Sequence, residues 1–211
     1  MRRILFLTLL FFIAYINYSF AKTANATPDE YIVTINKVEL YNSTTSTWVT
    51  VASGDLTFDI ASVNAGEVAG SYVSGAAIPE GVYTQERTTV SRTFYIKASG
   101  TIDATTYYTD TGNTSFETDG LAANTNTTGP AVRGKVVVPT TGLQGAGFTV
   151  QGDYFYHEGD LPSPITVKKS LTKKMRIKFN VLNTAEFNDL GTPGSAICYN
   201  QPPTVTFEVV D

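Results

Sequence analysis

An antiparallel β-sandwich of about nine to eleven strands is the fold this sequence predicts. Three observations carry that expectation. Apolar and polar residues alternate with period two along most of the chain, as in "DLTFDIAS" and "KMRIKFNV", the pattern of a half-buried sheet. Thr, Val, Tyr and Phe dominate these runs while Gly and Pro fall mostly between them. Helical periodicity is almost absent.

The elements follow in order. Arg2 and Arg3, the uncharged run Ile4–Ile16 and the small residues Ser19 and Ala21 make residues 1–21 a secretory signal peptide, with cleavage expected after Ala21. The apolar run is shorter than the roughly 20 residues a membrane-spanning helix requires, so no stable span is expected in the mature chain. Residues 22–211 are read as one domain. Its first strand, 30–42, places Val33 and Ile35 on one parity and Val38 and Leu40 on the other. A β-bulge near Asn36 and Lys37, or a passage between sheets, accounts for the switch. Further strands are expected at 46–52, 55–61, 69–74, 81–98, 101–108, 131–138, 147–157, 164–171, 173–182 and 203–210. Residues 184–191 are the one place where a helical turn is expected. Residues 109–131 hold only Phe116 and Leu121 as sizeable apolar side chains and read as a long polar surface loop.

Charge and cysteine content exclude several classes. Without residues 1–21 the chain carries 13 basic and 19 acidic side chains, a balance that argues against nucleic acid as a partner. Cys198 is the only cysteine and His157 the only histidine. No internal disulfide is possible, nor is a structural zinc site of four such ligands. Cys198 is read as a small buried hydrophobe.

The stretch "AIPEGVYTQERTTVSRTFYIK" is the most regular in the chain. Pro79 and Gly81 set a turn, after which Glu86, Thr88, Val90 and Arg92 fall on one face. Residues six apart on a strand lie about 20 Å from one another, so Glu86 and Arg92 are not expected to pair. Two charges on this face imply that the middle of the strand lies at an edge or under a loop. With "IVTINKVEL", "TWVTV" and "LTFDIASVNAG", the stretch resembles a family of bacterial exported domains of unassigned function, over about residues 32–98. The shared turn-and-strand motif is P-x-G-x-Y-T-Q. The resemblance implies a prealbumin-like or immunoglobulin-like sandwich and an extracytoplasmic location, and brings no catalytic residues. Glu86 and Thr88 stand where the family pattern has apolar residues. The lipid-bearing cysteine of many such domains is absent, which removes the usual membrane tether.

Candidate binding residues are Asp110, Asn113, Phe116 and Asp119 in the 109–131 segment, and Tyr154 and Tyr156. Parity places these two tyrosines on one face with Phe148 and Val150, where core is the first reading and a ligand-binding face the second. The acidic segment lacks calcium-loop spacing, and His157 with Asp153, Glu158 and Asp160 reads as a solvated turn, so no metal or other cofactor is expected. No G-x-S-x-G elbow exists and no carboxylate pair stands out; catalytic residues are therefore not assigned. The expected function is a non-enzymatic, periplasmic or surface-exposed binding module for an extracytoplasmic protein or glycan. A self-associating subunit of a surface layer or appendage is the alternative.

Overall fold

The computed structural model describes residues 21–63, 78–168, 174–192 and 194–210. The expected signal peptide and the expected strand 69–74 lie outside the described residues, except for Ala21. Every strand pairing is antiparallel, and a 13-stranded sheet and a separate two-stranded sheet account for the fold.

The strand Glu30–Asn42 (β2) is the axis of the large sheet. One of its edges pairs throughout with Thr47–Asp59 (β3). Its other edge is shared: Ile35 to Asn42 face Gly81–Ser91 (β4), and Glu30 to Ile32 face Thr93–Lys97 (β5). The register slips at Asn36 against both neighbours. The bulge thus sits where the apolar parity changes, and keeps Val33, Ile35, Val38 and Leu40 all buried. The two strands expected at 46–52 and 55–61 are one, because β3 follows β2 through the same irregularity.

The single strand expected at 81–98 is broken at Arg92. There the backbone N–H donates to the Asp153 carbonyl and the carbonyl accepts from Val138. β4 takes Tyr154–Val167 (β11) as its outer neighbour, whereas β5 takes Gly134–Val137 (β9). The sheet divides at this residue. The middle of β4 is consequently not at an edge: it lies between β2 and β11, and Glu86 is buried there.

Ser99–Ile102 (β6) turns back at Asp103 into Thr105–Phe116 (β7), which pairs with Gly120–Asn126 (β8). The polar loop expected at 109–131 is therefore largely a hairpin. Its inward positions carry small side chains, Thr109, Ala122 and Ala123, each fully buried; the segment is core without large apolar residues. The helical turn expected at 184–191 is instead the strand Ala185–Asn188 (β13), bound between Thr23–Ala26 (β1) and Ile197–Asn200 (β14). Among the described residues there is one short helix, Thr140–Gly145 (α1), which lies where none was expected and buries only Leu143. Thr149–Gln151 (β10) forms a hairpin with β11. Lys174–Asn180 (β12) and Thr204–Val210 (β15) make the small sheet.

Burial divides into three clusters. Ile96, Tyr107, Phe187 and Cys198 anchor the first; Leu40, Tyr83, Ile165 and Val167 the second; Tyr31, Val33, Ile60, Phe94 and Val181 the third. Cys198 is fully buried, and burial pushes its thiol pKa far up. The third cluster is only partly filled, and the candidate site lies there.

Candidate functional site

A cavity of about 310 Å³ opens on the inner face of β2, β4, β5 and β11, at the lower end of the roughly 300–1,000 Å³ typical of small-molecule sites. Pairing register fixes its long axis. Ile35 faces Val90 near the middle. Four residues along β4 lies Glu86, and four residues along β2 in the opposite direction lies Tyr31, each about 13 Å away at 3.3 Å per residue. Residues at both ends of this span line the space, and most of its wall is aliphatic and aromatic. Phe155 joins Phe94 (ring centroids 6.4 Å) and Phe148 (5.2 Å) along one side, and Phe179 and Val205 line it from the two strands of the small sheet.

Among the described residues five polar side chains line this wall, Tyr31, Glu86, Thr88, His157 and Asn200; two of their acceptors, the Glu86 carboxylate and Asn200 Oδ1, stand out for how few donors they meet. Glu86, on β4, stands between Leu40 of β2 and Gly159 of β11. Because Gly159 has no side chain, the Glu86 carboxylate can lie across it: a Cβ there would stand 3.4 Å from Glu86 Oε1 and 3.8 Å from His157 Nδ1. Among the described residues the carboxylate has one hydrogen-bond partner, Thr88 Oγ1, donating to Oε2 at 3.1 Å, and no cation pairs with it. Burial pushes its pKa up to about 7, against the smaller opposing effect of the Thr88 bond.

At the other end, Tyr31 donates its hydroxyl hydrogen to the Gln201 carbonyl (3.2 Å) and accepts from Asn200 Nδ2 (2.7 Å). That commits the Asn200 amide nitrogen and leaves Oδ1 buried with no donor. His157 is exposed and lies at the Glu86 end, its ring edge-on to Phe148 at 5.6 Å.

None of the six residues singled out from sequence lines this cavity. Asp110 accepts from Thr111 and Asn126, Asn113 donates to the Lys135 carbonyl, and Phe116 stacks on Tyr199 at 5.8 Å. Asp119 holds the buried Arg92 at 2.8 Å and accepts from the Thr140 N–H. Asp110 braces the β7–β8 hairpin internally and the other three tie it to its surroundings, and the four are spread along it.

Tyr154 and Tyr156 lie on the outer face, not with Phe148. Tyr154 donates to Asp55 (2.9 Å), while the Arg87 guanidinium lies over both Tyr156 (5.0 Å) and Trp48 (4.4 Å) and pairs with Glu39 and Glu158. Parity failed because the chain reverses at Gly152, whose φ of 61° suits glycine; across a hairpin, pairing decides the face, and Phe155 shares it with Val150. The chain matches no family model, no curated protein and no solved structure. The likeness of residues 32–98 to exported bacterial domains therefore rests on the quoted motifs alone. Among the described residues, no three His, Cys, Asp or Glu side chains gather into a metal-binding group, and no helix is long and apolar enough to cross a membrane. Glu86 was legible only as a polar residue on an apolar parity; nothing in the sequence reveals that Gly159 makes room for it or that Asn200 meets Tyr31.

Proposed function

We propose that this protein is an exported, non-enzymatic β-sandwich module that binds a small molecule in the cavity between its main sheet and the β12–β15 pair. One observation carries the reading: a long apolar space holds two buried acceptors, Glu86 and Asn200 Oδ1, that the fold leaves short of donors. Leaving a buried polar atom unpaired costs roughly 1–3 kcal/mol, a cost a bound ligand would relieve. Catalysis is not favoured, because among the described residues Glu86 is the only carboxylate lining the space and a hydrolytic carboxylate mechanism needs two.

Export is supported by the amino end. The backbone N–H of Lys22 donates to Asp189 Oδ1 at 2.7 Å, and Asp189 is only 5% exposed. Cleavage after Ala21 would turn that N–H into an ammonium already facing a carboxylate. Native mass spectrometry of the protein isolated from exporting cells, followed by a thermal-shift screen of small amphipathic compounds, tests the binding reading. A retained or stabilising compound is expected, and its effect should vanish when Val90→Phe fills the space; no ligand and no stabilising compound would refute it.

Self-association along strand edges is favoured by a separate observation. Among the described residues β3 pairs with β2 alone in the sheet, and Leu56 on it is 40% accessible, the kind of outer strand to which a second chain can add. Light scattering over a concentration series tests it; a monomer throughout would refute it.

A further inference from the structure

We propose that the cavity takes an elongated, apolar-bodied organic cation, an alkyl or arylalkyl amine, with its ammonium against Glu86. The inference rests on reading the cavity as a ligand site and names the chemistry that fits it. The donors in the wall already have acceptors, Thr88 Oγ1 donating to Glu86, Tyr31 to the Gln201 carbonyl and Asn200 Nδ2 to Tyr31, so a ligand that only accepts, such as a carboxylate, finds little to meet, whereas a donor is met by Glu86 and Asn200 Oδ1. A carboxylate in an apolar wall with a single hydroxyl partner and no cation is complementary to one positive charge, and aromatic rings along the same wall favour cations further. Among the described residues no Lys or Arg lines the space, and His157 sits exposed at the mouth with its ring against Phe148. Measured along the sheet, Glu86 and Tyr31 are on opposite sides of the Ile35–Val90 pair, so a chain lies lengthwise with its head at Glu86 and its tail toward Phe94 and Tyr31. A donor at the tail would meet Asn200 Oδ1.

A matched series separates the head group from the chain: n-octylamine, 1-octanol and octanoate, titrated at pH 8 by calorimetry into residues 22–211. The amine is expected to bind at least tenfold more tightly than the alcohol, and octanoate most weakly. Glu86→Gln should bring the amine down to the level of the alcohol. Val90→Phe should abolish binding of all three, which distinguishes the cavity from amine adsorbed on an acidic surface. If amine and alcohol bind equally, or octanoate binds best, the cation inference fails while the cavity remains a ligand site. If none of the three binds, or if amine binding is unaffected by both substitutions, the inference falls and the cavity reading loses its support with it.

Discussion

Replacing Glu86 with Gln should stabilise the protein, and by an amount that depends on pH. Glutamine keeps the shape and the acceptor for Thr88 but cannot ionise. In the native protein burial holds the Glu86 pKa at about 7, against an ordinary 4.5, with Thr88 opposing. The folded state therefore keeps the proton that the unfolded chain releases between these values. The stability this confers is full below 4.5 and is lost as pH rises through 7, where the wild type carries an ionised, unpaired carboxylate. The cost at pH 8 is up to about 3 kcal/mol, equivalent to roughly 6–12 °C in Tm for a chain of this size. The groups facing the carboxylate are Thr88 on its own strand, Leu40 on β2, and Gly159 and His157 on β11. His157 is the one among them that can carry charge, so the comparison is repeated in a His157→Asn background. Urea denaturation from pH 4.5 to 8.5 should show wild type and E86Q converging at the acid end and separating toward pH 8. A difference that stays flat with pH would show that water solvates the carboxylate, and would remove the basis for pairing it with a ligand cation.

Other perturbations test the frame around the cavity. Gly134→Ala should cost about 1–3 kcal/mol in denaturant titration, because a Cβ there would meet Ala123 Cβ at 2.4 Å and the Asp110 carbonyl at 2.8 Å; an unchanged midpoint would mean β8 and β9 separate freely. Arg92→Met removes the donors to the Val138 carbonyl and to Asp119 where the sheet divides, and should lower stability by about 3 kcal/mol in the same assay. The Cys198 thiol, buried and held protonated, should react with an aromatic disulfide reagent only after denaturation; rapid native reaction would refute its burial. In the chain beginning at Lys22, Asp189→Asn should lower Tm at pH 7. Hydrogen bonds from Lys22 and Gly191 hold the Asp189 pKa below the ordinary 3.8, so that stabilisation is present above 3.8 and the gap should close as pH falls further; a gap persisting at strong acid would contradict this pairing.

What could be read from the residues alone was set by side-chain size. Strands whose inward positions carry Val, Ile, Leu or Phe, such as β2, were legible down to the bulge at Asn36, because a parity switch in large apolar residues has few other causes. The β7–β8 hairpin was not legible, since its inward positions carry Thr109, Ala122 and Ala123, whose burial contributes little contrast with a polar loop. β13 was hidden for another reason: "AEFN" suits a helical turn locally, and only the neighbours β1 and β14, far away in sequence, hold it extended. The cavity combines both difficulties. Its key residue was visible as a misfit, a glutamate where alternation and the resembling family both call for an apolar side chain. Scaffold logic assigned that misfit to an edge or to cover by a loop, since both tolerate charge. The structure puts it on a central strand instead, between Leu40 and Gly159, where a lone carboxylate weakens the fold unless something donates to it. A position that costs stability in the empty protein and sits in the wall of an apolar space is better explained by what it binds than by what it packs against.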